Sequence, residues 1–85
     1  MLLATTQEKS QSLAMRQAAW KLKALRINKG WSIPALAEIS GLAPNTIARA
    51  ERAENIHEQS QKAIAVALGL EPLDIWSPET QGIGL

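Results

Sequence analysis

Apolar side chains recur at helical spacing from the first third of the chain onward. Ala14, Ala18, Leu22 and Leu25 fall on one side of a helix running from about Ser12 to Asn28, the pattern of a face laid against a core. Ala, Leu, Lys and Arg dominate the stretch, Ser10 or Ser12 offers an N-cap, and Lys29-Gly30 ends it. Leu13, Trp20 and Ile27 recur every seven residues on roughly the opposite side. A second helix follows, with Ser32 as its N-cap, Pro34 in its first turn and Leu36, Ala37 and Ile39 as its apolar residues. Ser40-Gly41 stops it, with Gly41 suited to the left-handed position after a helix. Leu42 plugs the turn and Pro44 opens a third helix whose inner face is Ile47 and Ala50, with Ala43 beside them. Ala53–Gln59 is a polar loop, Ser60–Leu68 a helix with Ile64, Ala67 and Leu68 on one face, and Gly69 its stop. Pro72 begins a last turn, Leu73-Asp74-Ile75-Trp76, that closes the core. No strand alternation and no repeat interrupts this order. The pattern predicts an all-α domain over residues 12–78, with four main helices and a short fifth. A flexible arm (1–11) precedes it and a flexible tail (79–85) follows.

Eighty-five residues suffice for one small core without metal or disulfide. The absence of cysteine suits a reducing cytoplasm and removes thiolate chemistry. No apolar run is long enough to span a membrane, and Met1-Leu2-Leu3-Ala4 is too short for a signal-peptide core. The net charge is only +1, but it is unevenly placed. Residues 1–30 hold six basic side chains against Glu8, and residues 31–85 hold three against seven acids. The basic excess of the first third is either a patch for an anionic partner or a solvated face.

Two short helices joined by a tight turn containing glycine make a helix-turn-helix unit. Ser32, Leu36, Ala37, Gly41, Leu42, Thr46, Ile47, Arg49 and Glu51 resemble, position by position, the motif of the lambda-repressor/Cro-like (XRE) family. Within it, Gly41–Ala50 and the later Ala65-Val66-Ala67-Leu68 with Pro72, Ile75 and Trp76 resemble the Ner regulators of Mu-like phages. The likeness spans about residues 22–78. It implies a compact lambda-repressor-like DNA-binding domain and a phage- or prophage-type repressor. Ile33 stands where XRE proteins often carry glutamine, as in the Ner branch, whose acidic-Trp-His opening is missing here.

In such a motif the second helix enters the major groove, and residues near its start meet base edges. The resemblance assigns base contacts to Pro44, Asn45 and Arg49. Asn45 can pair with adenine N6 and N7, Arg49 with guanine O6 and N7, and Ala48 is small enough to meet a thymine methyl. Thr46, Ser32 and Arg52 are candidates for phosphate. Two of the base-contact candidates have a plainer role too: Asn45 as a helix-start residue, Arg49 in an exposed salt bridge to acids near Glu51. Glu51, Glu54 and Glu58 read as acids shown to water. Trp31 takes the place of a core leucine. The single histidine, His57, makes neither a metal site nor a catalytic set, and reads as a solvated or phosphate-facing loop residue. No enzyme, cofactor or metal is expected. The expected partners are double-stranded DNA and a second copy of the chain, through the candidate dimer contact Leu13, Trp20 and Ile27. Cover by the chain's own ends is the other explanation of that stripe. The alternative function is a helical protein-interaction module, such as an antitoxin or co-regulator part, without direct DNA contact.

Overall fold

A computed structural model describes residues 13–77 as five helices: α1 (Leu13–Asn28), α2 (Ile33–Ser40), α3 (Pro44–Glu51), α4 (Glu58–Ala67) and α5 (Pro72–Ile75). No strand occurs among the described residues. The expected arm and tail, and the candidate caps Ser10 and Ser12, lie outside them.

Leu22 of α1, Leu36 of α2, Ile47 of α3 and Ile64 of α4 are fully buried, one from each main helix. Burial of a side chain of this size stabilises by about 1.5–3 kcal/mol. Ala18, Ala37, Ala50 and Ala65 let the helices approach, and Ile75 and Trp76 close the end of the core. Leu25, Trp31 and Leu42 pack around its margin. α2 packs on α3 and α4, while α1 crosses to α3 and α5.

The local signals act as expected. Ser32 Oγ accepts from the Ala35 N–H at 3.1 Å, and Pro34 lies in the first turn, where its missing N–H costs nothing. Gly41 sits at φ 76°, and the Leu42 N–H reaches back to the Ala37 carbonyl at 2.9 Å. This closure sets the angle between α2 and α3.

The structure departs from the sequence pattern in α2, in α4 and among the charged residues. Ile39 is half exposed, because the inner face of α2 is Ile33, Leu36, Ala37 and Ser40. Ile39 follows Ala37 by two residues, which is about 200° around a helix. α4 begins at Glu58 rather than Ser60, so the connecting loop ends at His57. Gln61, which is 1 % exposed, lies on the buried face with Ile64, Ala65 and Leu68.

Glu51 is not shown to water, and Arg26 does not belong to the basic surface. Arg26 Nε and Nη2 donate to the two Glu51 carboxylate oxygens at 2.6 and 3.0 Å, with both side chains at or below 10 % exposure. Arg26 Nη1 also donates to the Trp31 carbonyl at 2.8 Å. The carboxylate, by hydrogen bond first and charge second, raises the guanidinium's affinity for its proton despite partial burial. One arginine thus ties α1, the turn before α2 and the end of α3.

Glu51→Ala is expected to cost about 3 kcal/mol in urea unfolding, because it strands a buried guanidinium. Replacing both partners, Arg26→Met with Glu51→Leu, should cost less than either loss alone. A double variant as unstable as the sum of the singles would show that the two do not act as a pair.

Candidate nucleic-acid interface

α3 divides its residues between core and surface. Pro44 starts the helix at N1 after Ala43, whose extended backbone leaves it exposed rather than on the inner face, and Ile47 and Ala50 point inward. Asn45, Ala48, Arg49 and Arg52 follow at i, i+3, i+4 and i+7, on one outward face. Asn45, Arg49 and Arg52 are exposed there together, Ala48 is half-buried between them, and Pro44 is exposed at the leading end. Thr46 is half-buried on the flank. It lines a groove of about 310 Å³ with Arg49, Asn55, His57 and Ser60. Ser32 is exposed at the start of α2, with its oxygen already serving as the cap.

The charges of this face are arranged around Glu54. Arg49 Nε donates to Oε1 at 3.2 Å and Arg52 Nε donates to Oε2 at 3.0 Å. Arg49 Nη2 also reaches the Asn55 carbonyl at 3.5 Å. The sequence offers Arg49 an exposed salt bridge to the acids near Glu51, and the structure forms it with Glu54, five residues on. That spacing lies outside the i, i+4 rule. The chain turns back because Ala53 adopts φ 65°, and the Glu54 N–H then donates to the Arg49 carbonyl at 3.0 Å. An alanine in this left-handed region costs about 1–2 kcal/mol, against which its buried methyl is set. The Arg52 guanidinium, and after it that of Arg49, holds the Glu54 carboxyl below the usual carboxylate range.

Positive charge continues onto α1. Arg16, Trp20 and Lys23 line a hollow with Arg52 and Ala53, so part of the basic first third lies beside the end of α3. On the same helix Leu13, Trp20 and Ile27 are 63 %, 75 % and 56 % exposed, in one row. His57 stands exposed just before α4, at the rim of the groove. Among the described residues no group of three His, Cys, Asp or Glu could hold a metal ion. No described helix is long and apolar enough to cross a membrane.

A helix-turn-helix family profile matches residues 22–75, from the middle of α1 to the end of α5. Among solved structures, the hypothetical transcription factor NHTF from Neisseria is similar, at 26 % identity and a TM-score of 0.69. That alignment covers 92 % of this chain and 87 % of the other. The clp gene regulator ClgR from Corynebacterium glutamicum shares the fold, with a TM-score of 0.66 and 24 % identity over 76 % of this chain and 70 % of that one. Among curated proteins none matches.

The clamp on Glu54 has a titration signature. A depressed carboxyl contributes stability above its unfolded pKa and loses it as pH falls through the lower, folded one. The side-chain carbonyl shift of Glu54, followed by NMR on acidification, should therefore move at a lower pH than that of an unpartnered glutamate. Arg52→Gln should raise that midpoint more than Arg49→Gln does. A midpoint at the ordinary glutamate value would show that the clamp does not persist in solution.

Proposed function

The chain belongs to the helix-turn-helix family, and on that premise we propose that it is a regulator of transcription that binds double-stranded DNA in a sequence-dependent way. The observation that carries this is the joint exposure of Asn45, Arg49 and Arg52 on one face of α3, with Arg16 and Lys23 beside Arg52. α3 enters the major groove, where Asn45 meets adenine, Arg49 meets guanine and Ala48 meets a thymine methyl. Pro44 leads the helix against the base edges without a donor of its own. Thr46, Ser32 and Arg52 take phosphates on either side. The solved relatives described as a gene regulator and a hypothetical transcription factor support a regulatory role. The likeness of Gly41–Ala50 and Ala65–Trp76 to Ner regulators supports a phage- or prophage-type repressor that occupies a promoter in the cytoplasm. No catalytic step is assigned to the protein.

One such domain covers about half a dozen base pairs, and useful affinity comes from two copies on adjacent half-sites. The row Leu13, Trp20 and Ile27 is the surface for the second copy. Its seven-residue spacing is that of a helix–helix seam, and its side chains each contribute on the order of 1.5–3 kcal/mol when buried.

Asn45→Ala and Arg49→Ala are each expected to weaken binding to a site selected from random DNA by about 1–3 kcal/mol, with a smaller loss on random duplex. Equal losses on both would reduce these residues to backbone contacts. A wild type that binds no duplex would favour the protein-interaction module. For assembly, Trp20→Glu with Ile27→Lys should lower the mass seen in sedimentation equilibrium to that of a monomer while helical content is retained. A wild type that is monomeric at tens of micromolar removes the preformed dimer.

A further inference from the structure

The turn after α3 places one carboxylate between the two arginines of the outward face. Glu54 holds each of them by Nε, at 3.2 Å for Arg49 and 3.0 Å for Arg52. This grip leaves the Nη1–Nη2 edge of Arg49 as the edge turned to a base, with Nη2 only loosely steadied by the Asn55 carbonyl at 3.5 Å. A carboxylate that spans two guanidiniums also takes the place that phosphate oxygens would take. From this geometry we infer that Glu54 is a specificity-determining residue for DNA: it orients Arg49 for base reading and cancels charge that would otherwise grip any backbone. The inference rests on the DNA-binding reading above.

The two effects act in the same direction. Affinity for arbitrary duplex comes from basic side chains that displace counterions from phosphates. Glu54 removes part of that contribution at Arg52, the residue nearest the Arg16 and Lys23 side of the surface. Affinity for a chosen site depends in addition on Arg49 meeting guanine at a fixed angle, which a bond to Nε helps to set. The arginine and glutamate side chains are 41–56 % exposed, so the clamp is held by a screened surface pairing. A phosphate can therefore exchange with the carboxylate at Arg52 without disturbing the core. Because the two guanidiniums depress its titration, the Glu54 carboxyl stays charged throughout the range in which DNA binding is measured.

Glu54→Gln keeps the shape of the side chain and removes its charge. Fluorescence anisotropy is measured on a selected duplex and on random duplex, at salt from about 50 to 200 mM. The variant should bind random duplex roughly three- to tenfold more tightly at the low end, with a log–log salt slope steeper by up to about one. The selected duplex should gain less or lose affinity, so the ratio between the two falls severalfold. In the double variant Arg52→Gln with Glu54→Gln the gain on random duplex should vanish, which a merely structural role for Glu54 does not produce. An unchanged ratio with an unchanged slope overturns the inference while leaving the DNA reading in place. A wild type that binds neither duplex at low salt overturns both.

Discussion

The arrangement of this domain depends on how the Arg26 guanidinium is satisfied. A buried charge is tolerated only when paired and hydrogen-bonded, and Arg26 finds both carboxylate oxygens of Glu51 and the Trp31 carbonyl. Those partners lie on different elements, so satisfying one side chain fixes the end of α1, the entry to α2 and the end of α3 together. Apolar burial brings the helices together, yet it is not directional. The arginine supplies the direction, since its planar fork accepts few geometries. α3 is therefore held from inside by Ile47 and Ala50 and at its last residue by Glu51, while its outer face makes no contribution to the core.

That division frees the outer face for charge. Of the basic residues near the end of α3, Arg26 is used for architecture, whereas Arg49 and Arg52 share a solvent-exposed carboxylate. The two kinds of pairing differ in consequence. The buried pair resists exchange because desolvated partners cannot be replaced by water, and the exposed one can be remade with an incoming anion. A short helix thus carries a permanent ionic anchor at one end and exchangeable ionic contacts a few residues away.

Much of this was legible before the fold was seen, and the reasons are local. Ala18 and Leu22 announce the buried side of α1 by spacing, Ser32 and Gly41 mark the limits of α2 by capping chemistry, and Pro44 marks the start of α3. The outward residues Asn45, Arg49 and Arg52 follow once that helix is placed. Two features leave no periodic trace. Arg26 and Glu51 are separated by 25 residues, and nothing in either neighbourhood distinguishes a paired charge from a solvated one. Glu54 meets Arg49 only because the backbone reverses at Ala53, an alanine where glycine would be the ordinary signal. Ile39, by contrast, is a core residue by type alone, and the helical period itself turns it outward on α2. Caps, helix starts and buried faces are set within a turn or two of helix, whereas both ion pairs depend on how the backbone reverses or how two helices meet.

The reversal at Ala53 also concerns motion. Its backbone is strained, its methyl is buried, and the turn it makes is secured by the Glu54 N–H donating to the Arg49 carbonyl. The Ala53 N–H, which donates to the Ala50 carbonyl at 3.1 Å, and the two arginines on the carboxylate secure it further, so an opening of this turn would release the strain and part the carboxylate from its partners. The fully buried Leu22, Leu36 and Ile64 lie on other elements than this turn. The amide proton of Glu54 is therefore expected to exchange with solvent through a local opening of the turn, at a lower free-energy cost than the amides of the buried helices.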